Sequence, residues 1–178
     1  MTSGFTLWLM GPTSSGKTTL AQLLCQRLLE KGNTTLNYDG DEVRDFFGDT
    51  IGFADTDRLR VVSTLIHLSN KATSCGINVI VSALTANDDA RQHVRDTVSQ
   101  LIVGYVKCPI KVCAERDPKG LYAKANSGEI KTLIGINSEY RPPENPDFIV
   151  ETNTQTPDQS IDAIFEYLGN TGFIKFTG

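Results

Sequence analysis

The apolar residues of this chain follow two patterns that alternate along its length. Short continuous apolar runs are typical of strands buried on both faces of a parallel sheet, and stretches with apolar residues every three or four positions indicate amphipathic helices. The runs predicted as strands are 5–10, 34–38, 77–81, 102–106 and 148–150. The stretches predicted as helices are 19–31, 57–75, 88–101, 110–116 and 160–168. Such alternation predicts a single α/β domain over residues 1–178, a three-layer sandwich with helices on both faces of a parallel sheet.

One long segment interrupts this alternation. Residues 117–146 are rich in Gly, Pro, Lys and Glu and show little apolar periodicity. So long a segment without a pattern, inside a compact domain, is usually a lid or a binding loop. We therefore predict a lid over about residues 115–146.

The first predicted strand leads into a phosphate-binding loop. Residues 11–18 read GPTSSGKT, the G-x-x-x-x-G-K-[ST] motif, and they lie between a predicted strand and a predicted helix, as P-loop nucleotide-binding proteins require. Loop N–H groups and the helix N-terminus are expected to hold the phosphates of ATP. Lys17 is expected to reach the β- and γ-phosphates, and the Thr18 hydroxyl to bind Mg²⁺. The residues predicted to bind ATP here are Gly11, Ser14, Ser15, Gly16, Lys17, Thr18 and Thr19.

Two aspartates follow the second predicted strand. Asp39 and Asp41 come at its carboxyl end, the edge at which parallel sheets bind ligands. One of them is expected to orient or deprotonate an acceptor hydroxyl and the other to serve the metal or the substrate, and Asp39 is the stronger candidate for the hydroxyl. We therefore predict that Lys17, Asp39 and Asp41 are catalytic, and that Asp39 joins Thr18 at the metal.

Cationic side chains follow these aspartates and recur in the lid. Arg44 is placed to clamp the anionic part of an acceptor, and Arg58 to reach the same space. Arg116 and Lys119 begin the lid, whose closure would bring cations to the triphosphate and exclude water. Phe53 lies in a polar loop, where an aromatic ring either plugs a local core or stacks on a base.

Composition narrows the classes of partner and the compartment. The formal net charge of −4 argues against general binding to nucleic acid or to anionic membranes. No apolar run is long enough to span a membrane, and the N-terminal apolar run suits a strand better than a signal peptide. The four cysteines have no metal or redox spacing, so we expect free buried thiols in a reducing cytoplasm.

The combination of motifs resembles the adenylylsulfate kinase family. The matching stretches are GPTSSGKTT at 11–19, YDGDEVR at 38–44, IGF at 51–53, DR at 57–58, VCAERDPKGLYAKANSGEIK at 112–131, GI at 135–136 and PENPD at 143–147. The stretch at 112–131 is the most specific, because a phosphate-binding loop alone occurs in many enzymes. The resemblance covers about residues 5–154.

The resemblance implies transfer of the γ-phosphate of ATP, with Mg²⁺, to the 3′-hydroxyl of adenosine 5′-phosphosulfate. It implies that Asp39 and Asp41 act at the acceptor hydroxyl and the metal, and that the lid covers residues 116–131. It also implies a homodimer. The residues that it places at the acceptor, together with two at the turn after the third strand, are Asp41, Arg44, Phe53, Arg58, Leu84, Thr85, Lys119 and Leu133.

The departures from the family all lie on the acceptor side. Val61 replaces an Asn, residues 84–88 read LTAND where the family reads I-S-P-Y-R, and Leu133 replaces the second Phe of a base sandwich. The lost Asn removes a hydrogen bond that distinguishes bases, and the lost Phe removes ~1–3 kcal/mol of stacking. Two explanations stay open: drift within an adenylylsulfate kinase, or a changed acceptor such as cytidine diphosphoramidate in capsule biosynthesis.

A third hypothesis belongs to another class, a nucleotide-binding module that transfers no phosphate to a small molecule. Such a module needs the phosphate-binding loop but neither the Asp39–Asp41 pair nor the lid. Their presence favours a kinase.

Overall fold

The computed structural model describes residues 4–174, which have an α/β fold around a five-stranded parallel sheet. The order of the strands across the sheet is β2-β3-β1-β4-β5. In chain order the strands are β1 Thr6–Met10, β2 Thr35–Asp39, β3 Asn78–Ser82, β4 Leu101–Lys107 and β5 Phe148–Glu151. The helices are α1 Lys17–Glu30, α2 Gly40–Phe47, α3 Asp55–Ser74, α4 Asp88–Thr97, α5 Ile110–Arg116, α6 Leu121–Asn126 and α7 Pro157–Asn170.

The sheet is buried on both faces, which confirms the predicted three layers. Side chains alternate across a strand, so Leu7 and Leu9 of β1 pack with α1 and α7, whereas Trp8 and Met10 pack with α3 and α4. All pairings between neighbouring strands are parallel. Within the described residues, no helix combines the length and the apolar character needed to cross a membrane.

Helix α2 is the main element that the sequence pattern did not predict. It begins directly after Asp39, whose side chain accepts a hydrogen bond from the Asp41 N–H at 2.8 Å and caps the helix. None of its residues is fully buried, and only Val43 and Phe47 pack partly against the core. The helix is only eight residues long, shorter than the stretch of about 11–18 residues over which helical periodicity is recognised.

The other differences lie at the ends of helices and in the lid. Helix α4 ends at Thr97, before the expected Leu101, because Leu101 already belongs to β4. Helix α7 begins at Pro157, before the expected Ser160, where Thr156 and Gln159 form a capping box.

The lid contains the short helix α6, which is anchored by a small apolar core of its own. We call this core the lid cluster; its buried members are Cys108, Cys113, Tyr122, Ala125 and Leu133. All four cysteines are free, but only Cys108 and Cys113 are buried. Cys25 is half-buried and Cys75 is exposed, because Cys75 caps the end of α3, so the expectation of buried thiols was wrong for both.

Candidate active site

A cleft of about 970 Å³ opens at the carboxyl ends of the strands. The phosphate-binding loop, α2, the loop before α3, the turn after β3 and the lid all border it. The structure brings fifteen of the predicted site residues to its walls: Ser14, Gly16, Lys17, Thr18, Thr19, Asp39, Asp41, Arg44, Phe53, Arg58, Leu84, Thr85, Arg116, Lys119 and Leu133. Two predicted residues of the loop, Gly11 and Ser15, are buried and do not line the cleft.

Gly11 and Ser15 pack the loop against strand β4 and the residues that follow β5. A Cβ added at Gly11 would lie 2.5 Å from the carbonyl oxygen of Val106, so the position accepts only glycine. Ser15 is fully buried, and its carbonyl oxygen accepts a hydrogen bond of 2.7 Å from the Thr152 hydroxyl. Neither residue therefore offers a side chain to ATP.

The loop leaves the N-terminus of α1 open to an anion. Ser14 and Gly16 adopt left-handed conformations, with φ of 60° and 98°. Within residues 4–174, no side chain caps the N-terminus of α1, and its first turn contains no acidic residue. Unpaired N–H groups at the positive end of a 14-residue helix are a site for phosphate.

Lys17 is held close to the loop. Its Nζ donates a hydrogen bond of 2.7 Å to the carbonyl oxygen of Pro12. Burial lowers the pKa of Lys17 from its ordinary value of 10.5 to about 8, although the carboxylates of Asp41 and Asp39 oppose the shift. A bound triphosphate would favour the charged amine and reverse this shift.

Asp39 is buried and fixed in place. Its side chain accepts hydrogen bonds from the Thr18 hydroxyl at 2.7 Å, the Ser82 hydroxyl at 2.6 Å and the Asp41 N–H. Burial alone would raise the pKa of Asp39, but the hydrogen bonds from Ser82, Thr18 and the Asp41 N–H together hold it below its ordinary value of 3.8. The carboxylate and the Thr18 hydroxyl are hard oxygen ligands side by side, a donor set that suits Mg²⁺.

Asp41 has a different environment, although it is only two residues away. Its side chain is exposed, and its Oδ2 accepts a hydrogen bond of 2.6 Å from Nζ of Lys119. This hydrogen bond raises the pKa of Lys119. The pair connects α2 to the lid across the cleft.

The side of the cleft next to α2 is formed by two arginines, Arg44 and Arg58, and the aromatic ring of Phe53. Phe53 is 55% exposed, which argues against a role as a core plug. The Arg44 guanidinium lies 4.6 Å from the centre of the Phe53 ring and contacts the carbonyl oxygen of Gly52. Arg58 donates hydrogen bonds to the carbonyl oxygens of Phe53 and Thr132, each at 3.0 Å, and thus joins this side of the cleft to the lid.

The positions at which the chain departs from the family are mainly apolar. Val61 is 4% exposed and Leu133 is 8% exposed, so each shows the cleft only a small part of an otherwise packed side chain. Thr85 is also buried, and its Oγ1 accepts a hydrogen bond of 3.0 Å from Nε1 of Trp8. Leu133 belongs to the lid cluster, which accounts for its burial.

Several residues at the site were not among the predicted site residues, and four of them are Ser82, Tyr122, Thr152 and Gln155. Ser82 binds Asp39, and its position at the carboxyl end of β3 was a signal that could have identified it. Tyr122 links the lid to the loop through a hydrogen bond from its hydroxyl to the Thr13 carbonyl oxygen at 2.9 Å. Thr152 and Gln155 line the cleft just after β5, and Arg116 contacts the Thr152 carbonyl oxygen. These last contacts join distant parts of the chain, so no local pattern indicates them.

Comparison with known proteins agrees with this geometry. The sequence profile of the adenylylsulphate kinase family matches residues 3–151. The chain is 38% identical over 171 residues to an adenylyl-sulfate kinase of Rippkaea orientalis, covering 96% of this chain and 94% of that relative. It is 37% identical over 172 residues to an adenylyl-sulfate kinase of Halothermothrix orenii, covering 97% of this chain and 93% of the relative.

A solved structure is similar as well. It is the APS kinase of Mycobacterium tuberculosis in complex with AMPPNP and APS, with a TM-score of 0.87 and 33% identity over 94% of this chain and 99% of that one. Its fold and the relatives above confirm the predicted nucleotide kinase, as opposed to a module without phosphotransfer. The chain belongs to the adenylylsulphate kinase family.

Proposed function

We propose that this protein transfers the γ-phosphoryl group of ATP to the 3′-hydroxyl of adenosine 5′-phosphosulfate. The products are ADP and 3′-phosphoadenosine 5′-phosphosulfate. One observation carries the proposal: a single cleft joins the phosphate-binding loop, through the Asp39–Thr18 pair, to a wall with an exposed ring and two arginines. The similar kinase solved with AMPPNP and APS supports the same pair of ligands.

The donor is held on the loop side. The open N-terminus of α1 and the Lys17 amine face the triphosphate, and Thr152 and Gln155 border the cleft near the loop. Arg116, fixed by Thr152, lies at the base of the lid and contributes positive charge there. Thr18 and Asp39 would hold Mg²⁺, which would neutralise charge that develops on the phosphate oxygens.

The acceptor is oriented on the other side. Phe53 stacks on its base once Arg44 leaves the ring, and Arg44 and Arg58 attract its anionic end. The 3′-oxygen forms a bond to the γ-phosphorus while the bond from that phosphorus to the β–γ bridging oxygen breaks, and ADP leaves. The hydroxyl proton passes to a carboxylate. Asp41 is exposed to the cleft, whereas both oxygens of Asp39 already accept hydrogen bonds.

A screen of acceptors with ATP and Mg²⁺ tests the proposal. We expect adenosine 5′-phosphosulfate to give the highest kcat/KM among nucleotides that include cytidine diphosphoramidate. If the cytidine compound were better by about tenfold or more, a real difference in transition-state binding, the assigned acceptor would be wrong.

A pair of aromatic variants tests the role of Phe53 in binding the acceptor. Phe53→Ala should raise the acceptor KM by about 5- to 150-fold, the equivalent of ~1–3 kcal/mol of stacking, and leave the ATP KM unchanged. Phe46→Ala is the matched control, because Phe46 is 86% exposed on the neighbouring helix and does not line the cleft. Equal effects of the two variants would remove Phe53 from the acceptor site.

The proposal includes the assembly and the compartment. The family resemblance implies a homodimer, and the buried free thiols of Cys108 and Cys113 support a reducing compartment such as the cytoplasm. Sedimentation velocity at micromolar concentration tests the assembly, and a monomer would contradict it.

A further inference from the structure

The turn after β3 is held in a strained conformation at the edge of the cleft. Residues 83–87, which we call the acceptor wall, all line the cleft. The wall lies beside the catalytic aspartates, because β3 pairs with β2 and Ser82 is in register with Asp39. Thr85 in its centre has a φ of 40°. A β-branched residue rarely adopts a left-handed conformation, and such strain persists only where surrounding contacts impose it.

Two contacts hold Thr85, one from each side. From the sheet, Nε1 of Trp8 donates to its hydroxyl at 3.0 Å. From α4, Nε of Arg91 donates to its carbonyl oxygen at 2.7 Å. Trp8 is fully buried and does not line the cleft, and Arg91 is only 6% exposed. Neither side chain can therefore contact a ligand in the cleft.

The Arg91 guanidinium also donates hydrogen bonds to the C-terminal end of the lid. Its two terminal nitrogens donate to the carbonyl oxygens of Pro142, at 3.1 Å, and Arg141. This part of the chain is rich in proline and pairs with no strand, so its carbonyls need side-chain donors. The planar Arg91 guanidinium, whose N–H donors have fixed directions, thus connects the acceptor wall to the lid.

A second arginine provides a natural comparison. Arg95 lies one turn further along α4 and binds the same part of the lid, donating to the carbonyl oxygens of Glu144 and Asn145. Its hydrogen bonds do not reach the acceptor wall. The two arginines therefore share the lid and differ in the contact with Thr85.

We propose that Arg91 is a positioning residue for the acceptor: together with Trp8 it holds Thr85 and the acceptor wall in the conformation that binds the acceptor nucleotide, and it fixes this wall relative to the lid. The inference rests on the proposed transfer to a nucleotide acceptor. Because small displacements of a positioned substrate reduce rates strongly, loss of this clamp should affect the acceptor and not ATP.

The test compares Arg91→Lys with Arg95→Lys. Both variants keep the positive charge and replace the planar guanidinium by an ammonium group. Arg91→Lys should raise the KM of adenosine 5′-phosphosulfate by about tenfold or more and leave the KM of ATP within about twofold. Arg95→Lys should leave both within about twofold. Equal changes in the two variants, or an equal rise of both KM values in Arg91→Lys, would overturn the proposal.

Two further measurements test the proposal without relying on the kinetics of Arg91→Lys alone. Trp8 is the single tryptophan of the chain, so its emission reports on the turn, and the spectrum should change in Arg91→Lys but not in Arg95→Lys. Trp8→Phe removes the other contact to Thr85 from outside the cleft and should also raise the acceptor KM selectively, provided that its thermal unfolding shows a folded protein. An unchanged spectrum together with an unselective Trp8→Phe would refute the clamp even if Arg91→Lys did not fold.

These outcomes separate the clamp from the function on which it rests. If the wild-type protein phosphorylated none of the nucleotides offered, the proposed function would fail. The emission of Trp8 in the two arginine variants would still show whether Arg91 orders the acceptor wall.

Discussion

Asp39 and Asp41 are identical side chains two positions apart, but their surroundings differ. Asp39 closes a network with Thr18 and Ser82 and caps α2. Asp41 is exposed to the cleft and paired with Lys119. A buried carboxylate beside the Thr18 hydroxyl suits a metal ion, whereas a carboxylate at the surface of the cleft is accessible to an acceptor hydroxyl.

Replacement of Asp39 by Asn should show how much the buried carboxylate contributes. We expect kcat to fall by at least about a hundredfold, since the neutral amide binds Mg²⁺ poorly and, with its oxygen turned to the two hydroxyls, sets an NH₂ group against the Asp41 N–H. Steady-state kinetics at saturating ATP and acceptor measure the effect. Asp49→Asn, an exposed change outside the cleft, is the control, and turnover close to normal in Asp39→Asn would remove the residue from its role.

The lowered pKa of Lys17 predicts that ATP binding depends on pH. In the free protein this pKa is about 8, and bound phosphates raise it. At pH values above about 8, binding should therefore take up a proton, and affinity should fall as the pH rises through this value, since a growing fraction of the free protein holds a neutral amine.

Calorimetry in two buffers of different ionisation enthalpy measures this uptake at alkaline pH. Lys17→Arg keeps its charge throughout this range and should bind without taking up a proton at this position. The same uptake in both proteins would assign the proton to another group.

At the scale of elements, the lid is connected to the rest of the domain by a few individual contacts. Its own cluster anchors α6, Tyr122 reaches the phosphate-binding loop, Lys119 reaches α2, and Arg58 reaches Thr132. The last three contacts join the lid to elements that border the cleft. We therefore expect ligand binding in the cleft to affect the position of the lid.

The tyrosine contact can be removed without a change in packing. Tyr122→Phe deletes the hydrogen bond to the Thr13 carbonyl oxygen and should cost about 0.5–1.5 kcal/mol of unfolding free energy. The ATP KM should rise because the loop loses a support. Denaturant unfolding and steady-state kinetics measure both, with Tyr167→Phe as a control distant from the cleft. If both variants gave the same ATP KM, the contact would have no role in binding ATP.

On the scale of the whole molecule, the cleft lies where the two halves of the core meet. The loop and α1 rest on the core formed with α7, while the acceptor wall and the start of α3 rest on the core on the opposite face. A ligand that contacts both the phosphate-binding loop and the acceptor wall would connect elements that pack on opposite faces of the sheet. Binding should therefore stabilise the entire domain.

Thermal unfolding checks this coupling. A non-hydrolysable ATP analogue with Mg²⁺ at about 100 times its Kd should add ~2.7 kcal/mol to the unfolding free energy, or roughly 5–11 °C in Tm for a domain of this size. Lys17→Ala should reduce the shift by weakening binding. A single transition is expected, and unfolding of the lid apart from the sheet would contradict the coupling.

Much of this architecture was predictable because its signals are local. A continuous apolar run, a glycine-rich motif and an amphipathic stretch each lie within about twenty residues, which is the range over which a pattern can be recognised. Helix α2 was missed because its eight residues are too few for helical periodicity to be recognised and because its start depends on the cap from Asp39. The contacts of Tyr122 and Thr152 were missed because their partners are more than a hundred residues away in the chain.

The sequence by itself determined the fold class, the position of the phosphate-binding loop and fifteen of the residues that line the cleft. Only the tertiary structure decided which aspartate is buried, that Gly11 and Ser15 are buried and do not line the cleft, and that Trp8 and Arg91 hold Thr85 between them. The physical reason is that burial and hydrogen bonding depend on which distant residues share a space, and the sheet topology brings these residues together.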